Sequence, residues 1–269
     1  MSAPVALSVP GVTRALHLYI HDDSDRVISQ TIRREGIWEP YETALLIASL
    51  EAGAVCLDVG ANIGYYSVIA AQVVGATGAV FAFEPEVSNF RLLQANLELN
   101  QCQKTVHAIE AGLAETDSEA RLYLSKDNAG DHQVFAASDE RAHYAIRLLK
   151  GADYLAPRID RLDLIKVDVQ GAEYAVVQGL LELLRGLASP PRIIIELTPL
   201  SLKQAGASGR ALIELLATLD QPMWIIDHIQ HRLVHSNVGE LARWCDNVDA
   251  TAGDAGFMNI LIGPRVPGH

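Results

Sequence analysis

A surplus of cationic residues is missing from this sequence. Its 269 residues hold 21 Lys and Arg against 33 Asp and Glu, a formal net charge of −12. Nucleic-acid binding calls for a basic face, and docking on anionic lipid calls for basic clusters, so neither partner is expected, although the total leaves room for a local basic pocket. Cysteine is scarce too. Cys56, Cys102 and Cys245 are odd in number and contain no Cys-x-x-Cys pair, which reads as reduced thiols serving as small apolar side chains. No uninterrupted apolar run is long enough to cross a bilayer. Residues Met1 to Leu18 lack a basic start followed by a long apolar core, so no signal peptide is read there and the expected location is cytoplasmic. Internal repeats and low-complexity segments are absent as well.

What is present is core-forming material: 49% of the residues are hydrophobic, enough for a globular fold of one large domain or two small ones. The chain is organised around Val55 to Ser67. A short apolar run, Val55-Cys-Leu57, reads as a buried strand ending in Asp58. A loop with Gly60 and Gly64 follows, and Tyr65 to Val74 carries apolar residues on a helical period. Strand, glycine loop and helix make the first half of a βαβ unit, a turn that commonly holds a nucleotide. Gly60 can adopt backbone angles closed to other residues and lets a ligand approach the main chain; Gly64 is expected to let the helix pack closely on the strand. The dinucleotide pattern Gly-x-Gly-x-x-Gly is broken at Asn62 and Tyr65, and no phosphate loop with Gly-Lys-Ser/Thr exists. A carboxylate such as Asp58 would repel a pyrophosphate and suits a cationic or zwitterionic ligand.

The flanking segments continue the alternation. Residues 1–35 read as an N-terminal arm or cap. Trp38-Glu-Pro-Tyr-Glu42 precedes a helix over Thr43–Leu50, with Pro40 suited to a first turn. Ala79–Phe83 reads as the second strand of the unit and ends in Glu84, 20 residues after Gly64. An acid at this place in nucleotide-binding βαβ folds bonds ribose hydroxyls. Val87–Asn100 is a helix with Phe90, Leu93 and Leu97 on one stripe. The next strand, Thr105–Ile109, is followed by Glu110-Ala-Gly112, which places Glu110 and Ala111 at the border of a nucleotide pocket. Residues 125–160 read as an irregular insertion, a candidate substrate loop with Asn128, Asp131 and His132 as its chemical groups. Further strands are expected at Leu162–Val169, Arg192–Glu196, Met223–Asp227 and Asn259–Ile262, with less regular chain over 228–256. The sum is a single α/β domain over 36–269: a mainly parallel seven-stranded sheet with helices on both faces.

Three segments together resemble the FkbM family of S-adenosylmethionine (SAM) methyltransferases, of the Rossmann-like class I fold. They are Leu57-Asp-Val-Gly-Ala-Asn-Ile-Gly-Tyr-Tyr-Ser67, Ala82-Phe-Glu-Pro85 and Leu164-Ile-Lys-Val-Asp-Val-Gln-Gly-Ala-Glu173. The likeness covers about residues 36–200. It departs from the family's usual Asp-x-Glu-Gly-Ala-Glu at Gln170, which loses one charge and keeps Asp168 and Glu173. The resemblance implies SAM as cofactor, with Asp58, Gly60, Asn62, Gly64, Tyr65, Glu84, Glu110 and Ala111 around it, and methyl transfer to a small-molecule or sugar acceptor.

Methyl transfer from a sulfonium is an in-line displacement that needs alignment and, for many acceptors, a base. His132 is the candidate base, because imidazole titrates near neutral pH. Asp168 and Glu196 end strands and are expected to face one crevice, where they bind the acceptor hydroxyl or hold a divalent cation such as Mg²⁺; two carboxylates are thin grounds for a metal, and none is assigned. O-methylation, N-methylation of an amine and a SAM-binding regulator without catalysis all remain open. The regulator is disfavoured by the presence of Asp58, Gly60, Gly64 and Glu84 together. A homo-oligomer also remains open.

Overall fold

The computed structural model describes residues 3–22, 25–125, 132–134, 142–251 and 253–269. Its centre is an eight-stranded sheet. From one edge to the other the strands are Arg232–Ser236, Met223–Asp227, Met258–Ile262, Arg192–Leu197, Leu164–Val167, Val55–Val59, Ala79–Phe83 and Val106–Ile109. The last five named are mutually parallel. Met258–Ile262 runs against its neighbours on both sides, and Arg232–Ser236 runs against Met223–Asp227. The α/β class and mainly parallel sheet follow the sequence; the strand count of seven does not. Arg232–Ser236 adds the eighth as an edge hairpin partner.

Strand periodicity sorts the side chains into two cores. Cys56, Val80, Ala82, Leu164, Ile194 and Leu261 face one core, shared with the helices Pro40–Ala48, Tyr65–Val74 and Val87–Leu99. Leu57, Val59, Phe81, Phe83, Ile165, Val167, Ile193, Ile195 and Ile260 face the other, packed against Glu173–Gly186, Gly209–Ala217 and Val238–Ala250. Buried on both faces, these strands read as continuous apolar runs. The N-terminal residues join the first core through Leu16, Leu18, Ile20 and Ile32. They are fastened to the helix Val87–Leu99 by Asn96, which accepts from Tyr19 N and donates to Tyr19 O; Asn100, at that helix's end, makes the same pair of bonds with His17.

Two segments read as irregular are regular. Within 125–160, His143–Lys150 is a strand and Gly151–Leu155 a short helix. The strand buries only Ile146 and Leu149 and exposes His143 and Arg147, so its apolar alternation is diluted by charge. It pairs with Gly112–Ala114 and Ser118–Tyr123 in a separate three-stranded sheet. Within 228–256, the helix Val238–Ala250 starts at Asn237, whose side chain accepts from Glu240 N. That Asn-x-x-Glu spacing is a helix-start signal legible in the sequence. Asn128 and Asp131 lie outside the described residues. No helix among the described residues is long and apolar enough to cross a membrane.

The strand order reverses between Val55–Val59 and Leu164–Val167. At such a switch point the loops leave in opposite directions and open a crevice at the carboxyl ends of the strands. Gly60 stands there with φ +86°, and a Cβ on it would lie 1.9 Å from the Asp168 carbonyl oxygen. Its missing side chain thus serves strand-end packing. Gly64, expected to serve helix-on-strand contact, meets Leu93 of the neighbouring helix instead, 2.6 Å from where its Cβ would be. Gly60→Ala should therefore lower the unfolding free energy by about 2 kcal/mol or more. Urea denaturation measures this, and wild-type stability would show that the two loops part without cost.

Candidate active site

Two cavities open at the switch point. The first encloses about 760 Å³, part of it open to solvent, within the range of small-molecule sites. Its floor is Val59, Gly60, Asn62 and Glu84; its wall comes from Gly112, Leu113, Leu122, Ile146 and Leu148 of the small sheet, with His132 and Val134. Glu84 is buried, and both of its oxygens are engaged: Asn62 N donates to Oε2 at 2.7 Å and Glu86 N to Oε1 at 2.8 Å. Burial raises its pKa to about 7, against the downward pull of those two amides. Asn62 reaches its place in a left-handed conformation, φ 50°.

The second cavity lies across the sheet's carboxyl edge and shares Gly60, Asn62, Asp168 and Gln170 with the first. Trp38, Val27 and Phe257 border it with apolar surface, and Val27 and Phe257 are exposed. Its polar wall follows from strand parity. Lys166 projects from the same sheet face as Leu164 and pairs in register with Asp58; Glu196 pairs in register with Asn259. Above this row sits the helix Pro40–Ala48, with Glu39 at its N-cap and Glu42 in its first turn. The Lys166 ammonium, buried, is 3.3 Å from Glu42 and 3.2 Å from Asp168, and lies 4.6 Å over the Tyr66 ring. Burial works against its charge, but Asp168, Glu42, Glu39 and Asp58 more than offset this and hold its pKa well above the ordinary lysine value.

Neutral donors hold these and the neighbouring carboxylates as well. The Gln170 amide donates at 2.9 Å to Asp168 and at 2.9 Å to Glu196. Tyr66 donates to Glu39 at 2.7 Å, and Asn259 to Glu42 at 2.5 Å. Burial pushes Glu196 well above the carboxylate range, helped by Asp168 and Glu173, and lifts Glu39 to about 8, helped by Glu42. Glu173, fully buried, receives the amides of Gly171 and Val169 and so ties down the loop that carries Asp168 and Gln170.

The residues singled out in the sequence separate into groups. Gly60, Asn62 and Glu84 line the first cavity, and Tyr65 lines the second, bonded through its hydroxyl to Trp38 and Thr43. Asp168 lines both, and Glu196 the second. Asp58 lines neither: it is buried beneath the loop and accepts from Ser67 at 2.6 Å. Glu110 is exposed, and Ala111 is buried behind it; a tight turn, Ala111 N to Ile109 O, carries the chain past both, so that Gly112, Leu113 and Ala114 form the wall instead. His132 stands in the first cavity, its Nδ1 accepting from Ser125 N at 3.0 Å, and not on a wall facing Glu196. Glu39, Glu42, Tyr66 and Gln170 were not foreseen as site residues. Glu39 and Glu42 read as the polar start of a helix, and nothing in their spacing points inward.

The chemistry of the donor sets decides what they fit. A carboxylate and two main-chain amides at Glu84, beside an apolar wall, suit a nucleoside. The Gln170 amide occupies the place between Asp168 and Glu196 that a Mg²⁺ ion would need. Glu39, Glu42 and His228 offer ligand atoms within 4.8 Å of one another, but Lys166 already supplies Glu42 with the positive partner that a cation would replace, and the neutral Asn259 amide bonds its other oxygen.

The Methyltransferase FkbM domain matches residues 58–222. Among curated proteins, Methyltransferase 1 of Beauveria bassiana is 27% identical over 154 residues, covering 50% of this chain and 61% of that protein. Hexuronic acid methyltransferase AglP of Haloferax volcanii is 28% identical over 175 residues, covering 64% of this chain and 65% of its own. The chain thus spans a little less than two thirds of these relatives. Among solved structures, Methyltransferase FkbM from Methylobacillus flagellatus is similar at TM-score 0.47 and 14% identity, over 80% of this chain and 47% of that one.

Lys166 is the one cation among the described residues lining the second cavity. Lys166→Met should leave buried carboxylates unpaired and lower the unfolding free energy by about 3–5 kcal/mol at neutral pH. Denaturant unfolding tests this, and a loss below about 1 kcal/mol would mean that the carboxylates do not depend on the ammonium.

Proposed function

The chain belongs to the FkbM methyltransferase family, and from that premise we propose that it binds SAM in the first cavity and methylates a hydroxyl of a small molecule or sugar held in the second. The observation that carries this reading is the junction of the two cavities at Gly60, Asn62, Asp168 and Gln170, at the sheet's switch point, with the buried carboxylate of Glu84 on the nucleotide side. When bound, SAM supplies an electrophilic methyl group on a sulfonium centre. Glu84 would accept hydrogen bonds from ribose hydroxyls while the Asn62 and Glu86 amides keep its carboxylate in place. Leu113, Ile146 and Leu148 would cover the base and exclude water.

On the other side, Asp168 and Glu196, locked by Gln170, would accept from acceptor hydroxyls, and Trp38 and Phe257 would take the apolar face of a ring. His132 is placed with the nucleotide in this reading, as a wall of its pocket. One relative is named as acting on a hexuronic acid, which supports the sugar class. The carboxylate-rich wall favours a second reading, methylation of an amine, because a protonated amine would be drawn to it. Labelled SAM incubated with metabolite extracts, followed by mass spectrometry of the product, distinguishes the two. SAM binding with no transfer to any extract component would overturn both.

Glu84→Ala should weaken SAM binding by about tenfold to a hundredfold, the worth of a charge-assisted hydrogen bond. Because Glu84 titrates at about 7 and must be ionised to accept both hydroxyls, SAM affinity should rise about tenfold from pH 6 to pH 8. Glu84→Gln should flatten that rise. Calorimetry across the pH range measures both, and an unchanged affinity in Glu84→Ala would remove Glu84 from the ribose.

A further inference from the structure

We propose that Glu39 is the base that takes the acceptor's proton, and that Tyr66, Glu42 and His228 pass that proton to solvent. This rests on the reading of the second cavity as the acceptor site. Three carboxylates line that cavity: Glu39, Asp168 and Glu196. Asp168 is bound on one oxygen by the Gln170 amide and on the other by the Lys166 ammonium. Glu196 is bound by the same amide and has no hydrogen-bonded route outward among the described residues. Glu39 differs on both counts. Its hydrogen-bond partner among the described residues is the neutral Tyr66 hydroxyl, at 2.7 Å. That hydroxyl also lies 3.5 Å from Glu42 Oε1. The other oxygen of Glu42 is 3.8 Å from His228 Nε2, and the His228 side chain is 34% exposed. A file of proton-bearing groups therefore runs from the cavity to the surface, hydrogen-bonded as far as Glu42 and with a 3.8 Å step from there to His228.

The charges around Glu39 suit a base. Burial and the carboxylates of Glu42 and Asp168 raise its proton affinity, and Lys166 and the Tyr66 hydroxyl temper the rise, to a pKa of about 8. A carboxylate of that basicity is ionised and able to take the acceptor's proton from about pH 8 upward, and holds that proton far better than an exposed one. The step balances. The acceptor oxygen forms the new bond to the methyl carbon as the S–CH₃ bond breaks and its electron pair stays on sulfur. The hydroxyl proton moves to the Glu39 carboxylate, so the sulfonium charge and the carboxylate charge disappear together. Proton hopping then returns Glu39 to its ionised form: Glu39 to the Tyr66 oxygen, the Tyr66 proton to Glu42, and on through His228 to water.

The test uses the full chain and two kinds of measurement. First, carbon-13 NMR of glutamate-labelled protein, without any acceptor, should show one carboxyl titrating near pH 8 that is missing in Glu39→Gln; a spectrum unchanged by the substitution overturns the proposal whatever the acceptor proves to be. Second, with an acceptor identified from extracts, Glu39→Gln should cut kcat by about 10²–10⁴. SAM affinity and acceptor KM should stay within about twofold. The acidic limb of the pH profile should vanish, and Glu39→Asp should recover part of the rate. Tyr66→Phe, which breaks the file and also removes the hydroxyl that bonds Glu39, should slow turnover with KM unchanged and move the Glu39 titration to higher pH. Wild-type kcat in Glu39→Gln would overturn the assignment, and wild-type kcat in Tyr66→Phe would overturn the route. An inactive wild-type enzyme that still binds SAM would instead refute the methyltransferase reading, and the NMR titration would still report on Glu39.

Discussion

The arrangement at the carboxyl edge of the sheet depends on one buried cation. Lys166 emerges from a central strand into a space bordered by Glu42, Asp168, Glu39 and Asp58. A lone ammonium in that position would be untenable, and so would the carboxylates without it, since an unpaired buried charge costs several kcal/mol. Each helps to determine where the others stand. The helix carrying Glu42 is held over the sheet, the loop carrying Asp168 is held against the strand before it, and Tyr66 lies flat beneath the ammonium. Acid groups outnumber the cation, and neutral hydrogen-bond donors share in holding them: the Gln170 amide, the Tyr66 hydroxyl and the Asn259 amide.

This network explains why the edge can be polar while the sheet beneath it is not. Strand parity places Cys56, Leu164 and Ile194 in the same core face as the charged row, one or two pairs earlier along each strand. The change from apolar to ionic occurs where the strands end and the backbone carbonyls cease to be covered. At the same level Gly60 lets the Asp168 carbonyl approach, which brings the two cavities into contact. A bulkier residue there would separate the first cavity from the acid-lined second one. Geometry at one glycine and charge balance at one lysine thus act on the same few ångströms of chain.

Gln170, where the resemblance leads one to expect a glutamate, donates to two carboxylates at once, which a glutamate could not do when ionised. Asp58 is conspicuous in the linear motif, yet it is buried with Ser67, where it braces the loop from below. A tight turn carries the chain past Glu110 and Ala111, so that Gly112–Ala114 line the first cavity. His132 lines the first cavity together with Asp168 and apart from Glu196, which lines the second.

The linear sequence determined what depends on local period and spacing: the strand–glycine–helix unit at Val55 to Val74, the acid at Glu84 20 residues past Gly64, the alternation that makes an α/β sheet, and the strand-ending carboxylates Asp168 and Glu196. These are legible because period and turn chemistry are written within a few residues. Tertiary structure alone decided that His143–Lys150 is a strand of a second sheet, because its partners Gly112–Ala114 and Ser118–Tyr123 supply the burial that its own charged sequence obscures. It alone brought Glu39 and Glu42 over Lys166, more than 120 residues away in the chain. A carboxylate at a helix start reads as solvated until the packing of that helix on the sheet removes the water, and only then does its charge need a partner.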